Sequence, residues 1–213
     1  MFQLDPHGVF RVDALSGIPN LAHGFGTRIA QGWPALPTAI VHQVHSDRAV
    51  FAAGPGVHGE ADALITGQAG FALAIRTADC VPILIADPEH RAVAAVHAGW
   101  RGTVSGILTK TLAAMAKRFG TAPEKTLVAI GPAIGPCCFE VGPEVAVQFG
   151  HPIENRHVDL IEANRRLALS AGVPVIQIMV SGRCTRCDPT LFHSFRRDRE
   201  QSGRMVTAIG WIE

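Results

Sequence analysis

The stretch from Thr77 to Gly102, TADCVPILIADPEHRAVAAVHAGWRG, constrains the fold more than any other part of this chain. Val81–Ala86 and Ala92–Val96 are short apolar runs, and Asp87-Pro88-Glu89-His90 between them is a turn signal. Antiparallel pairing about Pro88-Glu89 sets Asp87 opposite His90, Val81 opposite Val96, and Cys80 opposite His97. Directly opposed residues share a face, with Cβ atoms about 4.5–5.5 Å apart. A thiolate and an imidazole at that separation suit either a shared metal or a Cys–His catalytic pair. His97 leads into Ala98-Gly99-Trp100-Arg101-Gly102, a glycine-punctuated turn ahead of a helix, which is a common setting for a binding site. Asp79, next to Cys80, is a candidate for orienting an imidazole or acting as an acid–base group.

A third ligand comes from His42-Gln43-Val44-His45. On a strand the two histidines point to opposite faces, so only one reaches a given site. His45 begins a polar turn with Ser46 and Asp47 and is the better placed. His45, Cys80 and His97 form an N, S, N set drawn from separate segments. Three protein ligands with an open position is how catalytic zinc is held. Imidazole and thiolate also suit copper.

The 213 residues allow one large domain or two small ones, and 47% hydrophobic against 17% charged residues permits a sizeable core. A net charge of +1 gives no basic field for nucleic acid. No run of about 18 apolar residues exists, so no membrane span is expected. The N-terminus lacks a basic segment followed by an apolar one, so no signal peptide is expected. Five cysteines, two of them adjacent, make a poor disulfide framework and point to a reducing cytoplasm.

Strands are expected at Ala39–Val44, Ala49–Ala53, Gly70–Arg76, Val81–Ala86, Arg91–Val96, Leu127–Ile130, Val175–Met179 and Met205–Trp211. Apolar spacing near 3.6 predicts helices over Thr103–Phe119, stopped by Gly120, and Val158–Ala171, stopped by Gly172. Pro143–Phe149 reads as a short helix with Pro in its first turn. Grouped strands with helices between the groups indicate an α+β domain.

Other features carry less. Cys184-Thr185-Arg186-Cys187 needs a second ligand pair to hold zinc, and the only candidate, Cys137-Cys138, is adjacent and so ill suited to one metal. The Gly- and Pro-rich loop Gly131–Glu140 either lines a pocket or serves as a rigid connection. Among Arg28, Arg101, Arg183, Arg196 and Arg197, whose guanidinium groups bind phosphate or carboxylate in a fork, Arg101 has the best location.

The motifs, in order, are HGFGTR at His23–Arg28, QVHS at Gln43–Ser46 and ADALIT at Ala61–Thr66. TADCVPILIADP, AAVHAGWRG, AIGPAIGPCCFEV and HVDLIEAN follow, then CTRC and FHSFRRD at Phe192–Asp198. From about His23 onward the chain resembles the YfiH/laccase-domain family, also known as polyphenol oxidoreductases and purine nucleoside phosphorylases. The resemblance implies a single α/β/β/α domain over residues 1–213 with mixed sheets, similar to toxin deamidases that use a Cys–His pair. It implies a His, Cys, His metal triad, which falls on His45, Cys80 and His97. It also implies phosphorolysis of adenosine, inosine and methylthioadenosine, with adenosine deamination beside it, and a monomer or small homo-oligomer. Family members carry a longer segment, with a helix, between the motifs at His23–Arg28 and Gln43–Ser46; here only Ile29–His42 separates them.

The expectation is a zinc-dependent phosphorylase taking a purine nucleoside and phosphate, the metal acting as a Lewis acid and Arg28 or Arg101 holding the phosphate. Three other readings compete. A metal-free hydrolase or deamidase would use Cys80 as nucleophile and His97 as base. A copper-dependent polyphenol oxidase (laccase) needs several copper sites, of which the sequence offers one triad. A non-catalytic metal-binding protein would hold metal without turnover.

Overall fold

Both arms of the 81–98 hairpin are continuous runs of buried residues, the pattern of strands covered on two faces. The computed structural model describes residues 1–150, 152 and 156–212. In chain order the elements are β1 (Phe2–Leu4), β2 (Val9–Val12), α1 (Asp13–Ser16), β3 (Leu21–Gly26), β4 (Thr38–His42), β5 (Ala49–Phe51), β6 (Gly56–Glu60), β7 (Ala63–Thr66), β8 (Ala72–Thr77), β9 (Val81–Asp87) and β10 (Ala92–Ala98). There follow α2 (Trp100–Val104), α3 (Ile107–Phe119), β11 (Leu127–Ile130), α4 (Pro143–Ala146), α5 (Leu160–Ser170), β12 (Ile178–Val180), α6 (Phe195–Asp198) and β13 (Met205–Trp211).

The strands form two mixed sheets, ordered β1-β2-β3-β13-β8-β4-β6 and β12-β11-β9-β10-β7-β5. Between them lies a core that includes Phe10, Leu64, Leu73, Leu84, Phe192 and Trp211. On the far side of the six-stranded sheet, Ile83, Ile85 and Val96 pack against Ile107, Leu112 and Met115 of α3 and Leu160 and Ala168 of α5. The expected α/β/β/α sandwich is therefore met on one side only. Over the seven-stranded sheet, Ala72, Ala74 and Ala208 are covered by Trp33 and Leu36 from the 29–37 loop. Among the described residues the cover on that face is loop rather than helix. Gly24 and Gly26 make room: a Cβ on either would lie 3.0 Å from the Trp33 indole.

The hairpin pairs two residues away from the predicted register. Asp87 faces Ala92, Val81 faces Ala98, and His97 faces Pro82. The loop is the cause. The Asp87 carboxylate accepts the backbone N–H groups of Glu89 and His90 and bonds His90 Nδ1 at 2.9 Å, and Arg91 is left-handed with φ 49°. Pro88–Arg91 is thus a four-residue connection where two residues were predicted. A shift of two keeps every side chain on its predicted face. Cys80 and His97 remain on one face as diagonal neighbours, and Cys80 falls beside Gly99.

The predicted helix over Thr103–Phe119 is two helices, α2 and α3, parted at Gly106 with φ 75°. Gly120 ends α3 in the left-handed conformation, as predicted. Asp159 caps α5, its carboxylate accepting from Glu162 N at 2.9 Å. Val175–Gln177 is a 3₁₀ turn, so the predicted strand there begins only at Ile178. β1, β2, β3, β6 and β7 went unpredicted. No helix among the described residues is long and apolar enough to cross a membrane.

Candidate active site

Three segments bring His45, Cys80 and His97 together, with one ligand atom from each lying within 4.8 Å of the others. His97 lies near the end of β10 and is 3% exposed. Cys80 precedes β9 and is half-buried. His45 follows β4 and is not on the strand, so it reaches the site from a turn. Its Nε2 is 4.0 Å from Cys80 Sγ, and its ring meets that of His97 edge-on with centroids 4.9 Å apart.

Asp62, which the sequence reading did not single out, organises this cluster. It is fully buried immediately before β7. Oδ1 accepts from His97 Nδ1 at 2.7 Å and His45 N at 3.0 Å. Oδ2 accepts from Ser46 N at 2.6 Å, Ser46 Oγ at 2.7 Å and Val44 N at 3.2 Å. Three successive backbone N–H groups converging on one carboxylate hold the 44–46 turn. They stabilise His45 in its left-handed conformation, φ 59°, which a non-glycine residue adopts only with support. The signal that could have found Asp62 is its place in the apolar run Ala61–Ile65, where a buried carboxylate needs partners.

The electrostatics follow from these contacts. Burial favours the neutral Cys80 thiol, but His45 and His97 outweigh it and bring its pKa down to about 6. Burial opposes a charged His97, yet the Asp62 carboxylate and Cys80 raise it to about 9. Burial also works against ionised Asp62, and its bonds to His97 and Ser46 overcome this, lowering it to about 2. Without a metal the three groups form a carboxylate–imidazolium–thiolate chain.

The residues fit a metal. His97 spends Nδ1 on Asp62, which leaves Nε2 as the ligating nitrogen and fixes the ring, the usual arrangement around a metal-bound histidine. Space is kept open by Gly99, where a Cβ would sit 3.0 Å from His45 Cδ2 and 3.2 Å from Cys80 Sγ. Two imidazoles and one thiolate leave a tetrahedral ion one open position.

The triad lies in a cavity of about 740 Å³ whose lining includes His42, Gln43, Arg76, Phe195, Gly203 and Arg204. Gln43 clamps the entry of the turn to β8, its Oε1 accepting from Arg76 N and its Nε2 donating to Arg76 O, both at 2.8 Å. The structure does not bring the predicted phosphate residues Arg28 and Arg101 into this lining. Arg28 donates to Pro189 O, and Arg101 stacks on Trp100 at 4.4 Å. Arg76 and Arg204 line the cavity instead, with Arg204 Nη1 donating to Ser202 O and Gly203 O.

Asp79, considered for an orienting or an acid–base role, is buried and fully engaged. Its carboxylate accepts from Thr185 Oγ1 at 2.6 Å, Ser194 Oγ at 3.0 Å and Arg196 N at 2.6 Å. With φ 86° it turns the chain into Cys80 and pins that turn to the 185–196 loop.

The second cysteine group also departs from expectation. Cys137, Cys138, Cys184 and Cys187 converge, with their sulfurs within 4.8 Å of one another. Adjacency was expected to keep Cys137 and Cys138 from sharing a centre. They lie in a helical turn, with Cys138 N and Phe139 N both donating to Gly135 O, which directs both sulfurs to one side.

Residues 27–212 match the family of multi-copper polyphenol oxidoreductase laccases. The chain is 44% identical over 191 residues to a purine nucleoside phosphorylase of Deinococcus radiodurans, covering 85% of this chain and 73% of that protein. It is 40% identical over 161 residues to adenosine deaminase RL5 from an unknown prokaryotic organism, covering 70% of this chain and 61% of that protein. The crystal structure of YlmD from Geobacillus stearothermophilus superposes with a TM-score of 0.90 at 33% identity, covering 100% of this chain and 99% of that one. The chain spans between about three fifths and three quarters of the length of these two curated relatives. The chain thus belongs to the YfiH/laccase-like polyphenol oxidoreductase family that its motifs resemble.

Proposed function

We propose that this protein is a zinc-dependent purine nucleoside phosphorylase acting on adenosine, inosine and methylthioadenosine, with adenosine deamination as a side activity. The observation that carries the reading is the triad's position in a cavity that also presents Arg76 and Arg204. The relatives named for phosphorolysis and deamination support the same chemistry.

His45 Nε2, Cys80 Sγ and His97 Nε2 are the ligands. Two nitrogens, one sulfur and an open position favour zinc, while copper fits the same donors. When bound, the metal supplies Lewis acidity at the open position. Asp62 fixes the His97 ring and tautomer, and through the 44–46 turn it also fixes His45. Arg76 and Arg204 bind phosphate as guanidinium–oxyanion pairs. In phosphorolysis a phosphate oxygen bonds to the anomeric carbon, the bond from that carbon to the purine nitrogen breaks, and the electron pair leaves with the base. His42 lines the same cavity, since His45 lies beyond the strand and the strand alternation expected for the two histidines does not apply, and it is the titratable side chain in that lining outside the triad and arginines to supply the proton the base takes up.

The test is inosine with and without inorganic phosphate, following hypoxanthine and ribose 1-phosphate. Equal amounts of both products, only with phosphate, support the proposal. Hypoxanthine with free ribose and no phosphate requirement would make the protein a nucleoside hydrolase.

One observation favours a second reading. The Cys80 thiol, held near 6 beside a charged His97, is an activated nucleophile in its own right. A metal-free thiol hydrolase or deamidase keeps its activity in chelator, whereas the zinc phosphorylase loses it.

A further inference from the structure

We propose that Cys137, Cys138, Cys184 and Cys187 form a second, four-thiolate zinc site, separate from the triad, that ties together the two loops behind it. The sulfurs come from segments about 50 residues apart, yet Cys137 Sγ is 3.7 Å from both Cys138 Sγ and Cys187 Sγ, and Cys138 Sγ is 3.4 Å from Cys187 Sγ. A tetrahedral zinc with Zn–S bonds of about 2.3 Å has S···S edges of about 3.8 Å. A disulfide needs about 2.05 Å. The spacing is that of a ligand shell.

The surroundings match. Gly135 N donates to Cys184 Sγ at 3.2 Å, an N–H···S bond of the sort that steadies a metal-bound thiolate. Ala133 and Cys184 form a parallel bridge, and Thr185 N donates to Ala133 O at 3.0 Å, so the two loops are already in register. Arg186 lies beside Cys138 and offsets the negative charge of four thiolates around a dication. Four protein ligands leave no open position, which makes this a structural site rather than a catalytic one.

Its place in the fold gives it a role. The 131–138 loop donates Ile134 N to Asp79 O at 2.9 Å, and the 184–187 loop donates Thr185 Oγ1 to the Asp79 carboxylate. Asp79 in turn sets the backbone of Cys80. Zinc at the four cysteines fastens both loops and so stiffens the wall that carries the triad's thiolate.

The experiment counts zinc per chain in full-length wild type, Cys80→Ala, and Cys80→Ala/Cys137→Ser/Cys187→Ser, with X-ray absorption at the zinc edge of the Cys80→Ala protein. About one zinc retained by Cys80→Ala, lost from the triple variant, and surrounded only by sulfur at about 2.3 Å is the expected result. If the triple variant does not fold, the absorption spectrum of Cys80→Ala decides alone. Nitrogen or oxygen neighbours overturn the proposal, as does a Cys80→Ala protein that holds no zinc. A non-reduced mass showing a disulfide among the four cysteines overturns it too.

Discussion

Asp62 grips His97 from two directions. Its carboxylate accepts the ring Nδ1–H at 2.7 Å, and its backbone carbonyl accepts the His97 N–H, also at 2.7 Å. The same carboxylate holds the N–H groups of Val44, His45 and Ser46. One buried side chain therefore sets two of the three ligands, and through the charge on His97 it sets the ionisation of the third.

Replacing Asp62 by Asn keeps the size and removes the charge. Zinc affinity at the triad should fall about 10–100-fold. In metal-free wild type, alkylation of Cys80 by iodoacetamide should rise with a midpoint near pH 6. With Asp62→Asn, His97 loses its charge at lower pH and the thiolate loses its partner, so the midpoint should move up toward about 8.5, the value of a free cysteine. Rates measured from pH 5 to 9, with cysteine location by peptide mass, check this. An unmoved midpoint would break the link between Asp62 and Cys80.

Gly99→Ala adds a methyl 3.0 Å from His45 Cδ2 and 3.2 Å from Cys80 Sγ. The backbone there, φ −71° and ψ 174°, suits alanine, so the fold should lose only about 1 kcal/mol. Metal affinity and turnover should fall at least tenfold. Competition with a chromophoric chelator, beside a urea titration, separates the two effects.

Arg76 and Arg204 are assigned to phosphate, so Arg76→Ala and Arg204→Ala should each raise the KM for phosphate about tenfold, the loss of roughly one charge-assisted contact. Zinc content should stay at the wild-type level. Arg28→Ala and Arg101→Ala, outside the cavity lining, should leave the phosphate KM unchanged; initial rates at varied phosphate test all four.

His23 predicts an acid-side loss of stability. Burial, with Arg11 adding to it, lowers its pKa from 6.5 to about 4, and Nε2 accepts from Val12 N at 2.9 Å. Between pH 6.5 and 4 the unfolded chain binds a proton that the folded one does not. The contribution is fully present above 6.5 and is lost as pH falls through 4, a total of about 3 kcal/mol. His23→Gln, which keeps an acceptor and does not titrate, should have a flatter profile of urea midpoint against pH in this window. Parallel profiles would contradict the assignment.

Much of this site was legible in the sequence. The hairpin and the side-chain face shared by Cys80 and His97 followed from two apolar runs and a turn, and they survived a register shift because that shift was even. What stayed hidden depended on partners distant in sequence. Asp62 looks unremarkable until β7 pairs with β10, and the reach of Arg76 and Arg204 depends on where the sheets end. Leu21–Gly26, with two glycines and no alternation, gives no strand pattern, yet β13 and β2 pair with it. Cys137 and Cys138 read as a poor ligand pair because adjacency on an extended chain splays side chains, while the turn that gathers them is visible only in the fold.

The most direct test measures phosphate-dependent release of hypoxanthine from inosine by wild type and Cys80→Ala, with zinc counted in both. The account predicts turnover by wild type, and in Cys80→Ala the loss of turnover together with about one zinc per chain. A wild type that carries zinc at the triad yet releases no base from inosine or adenosine would contradict it.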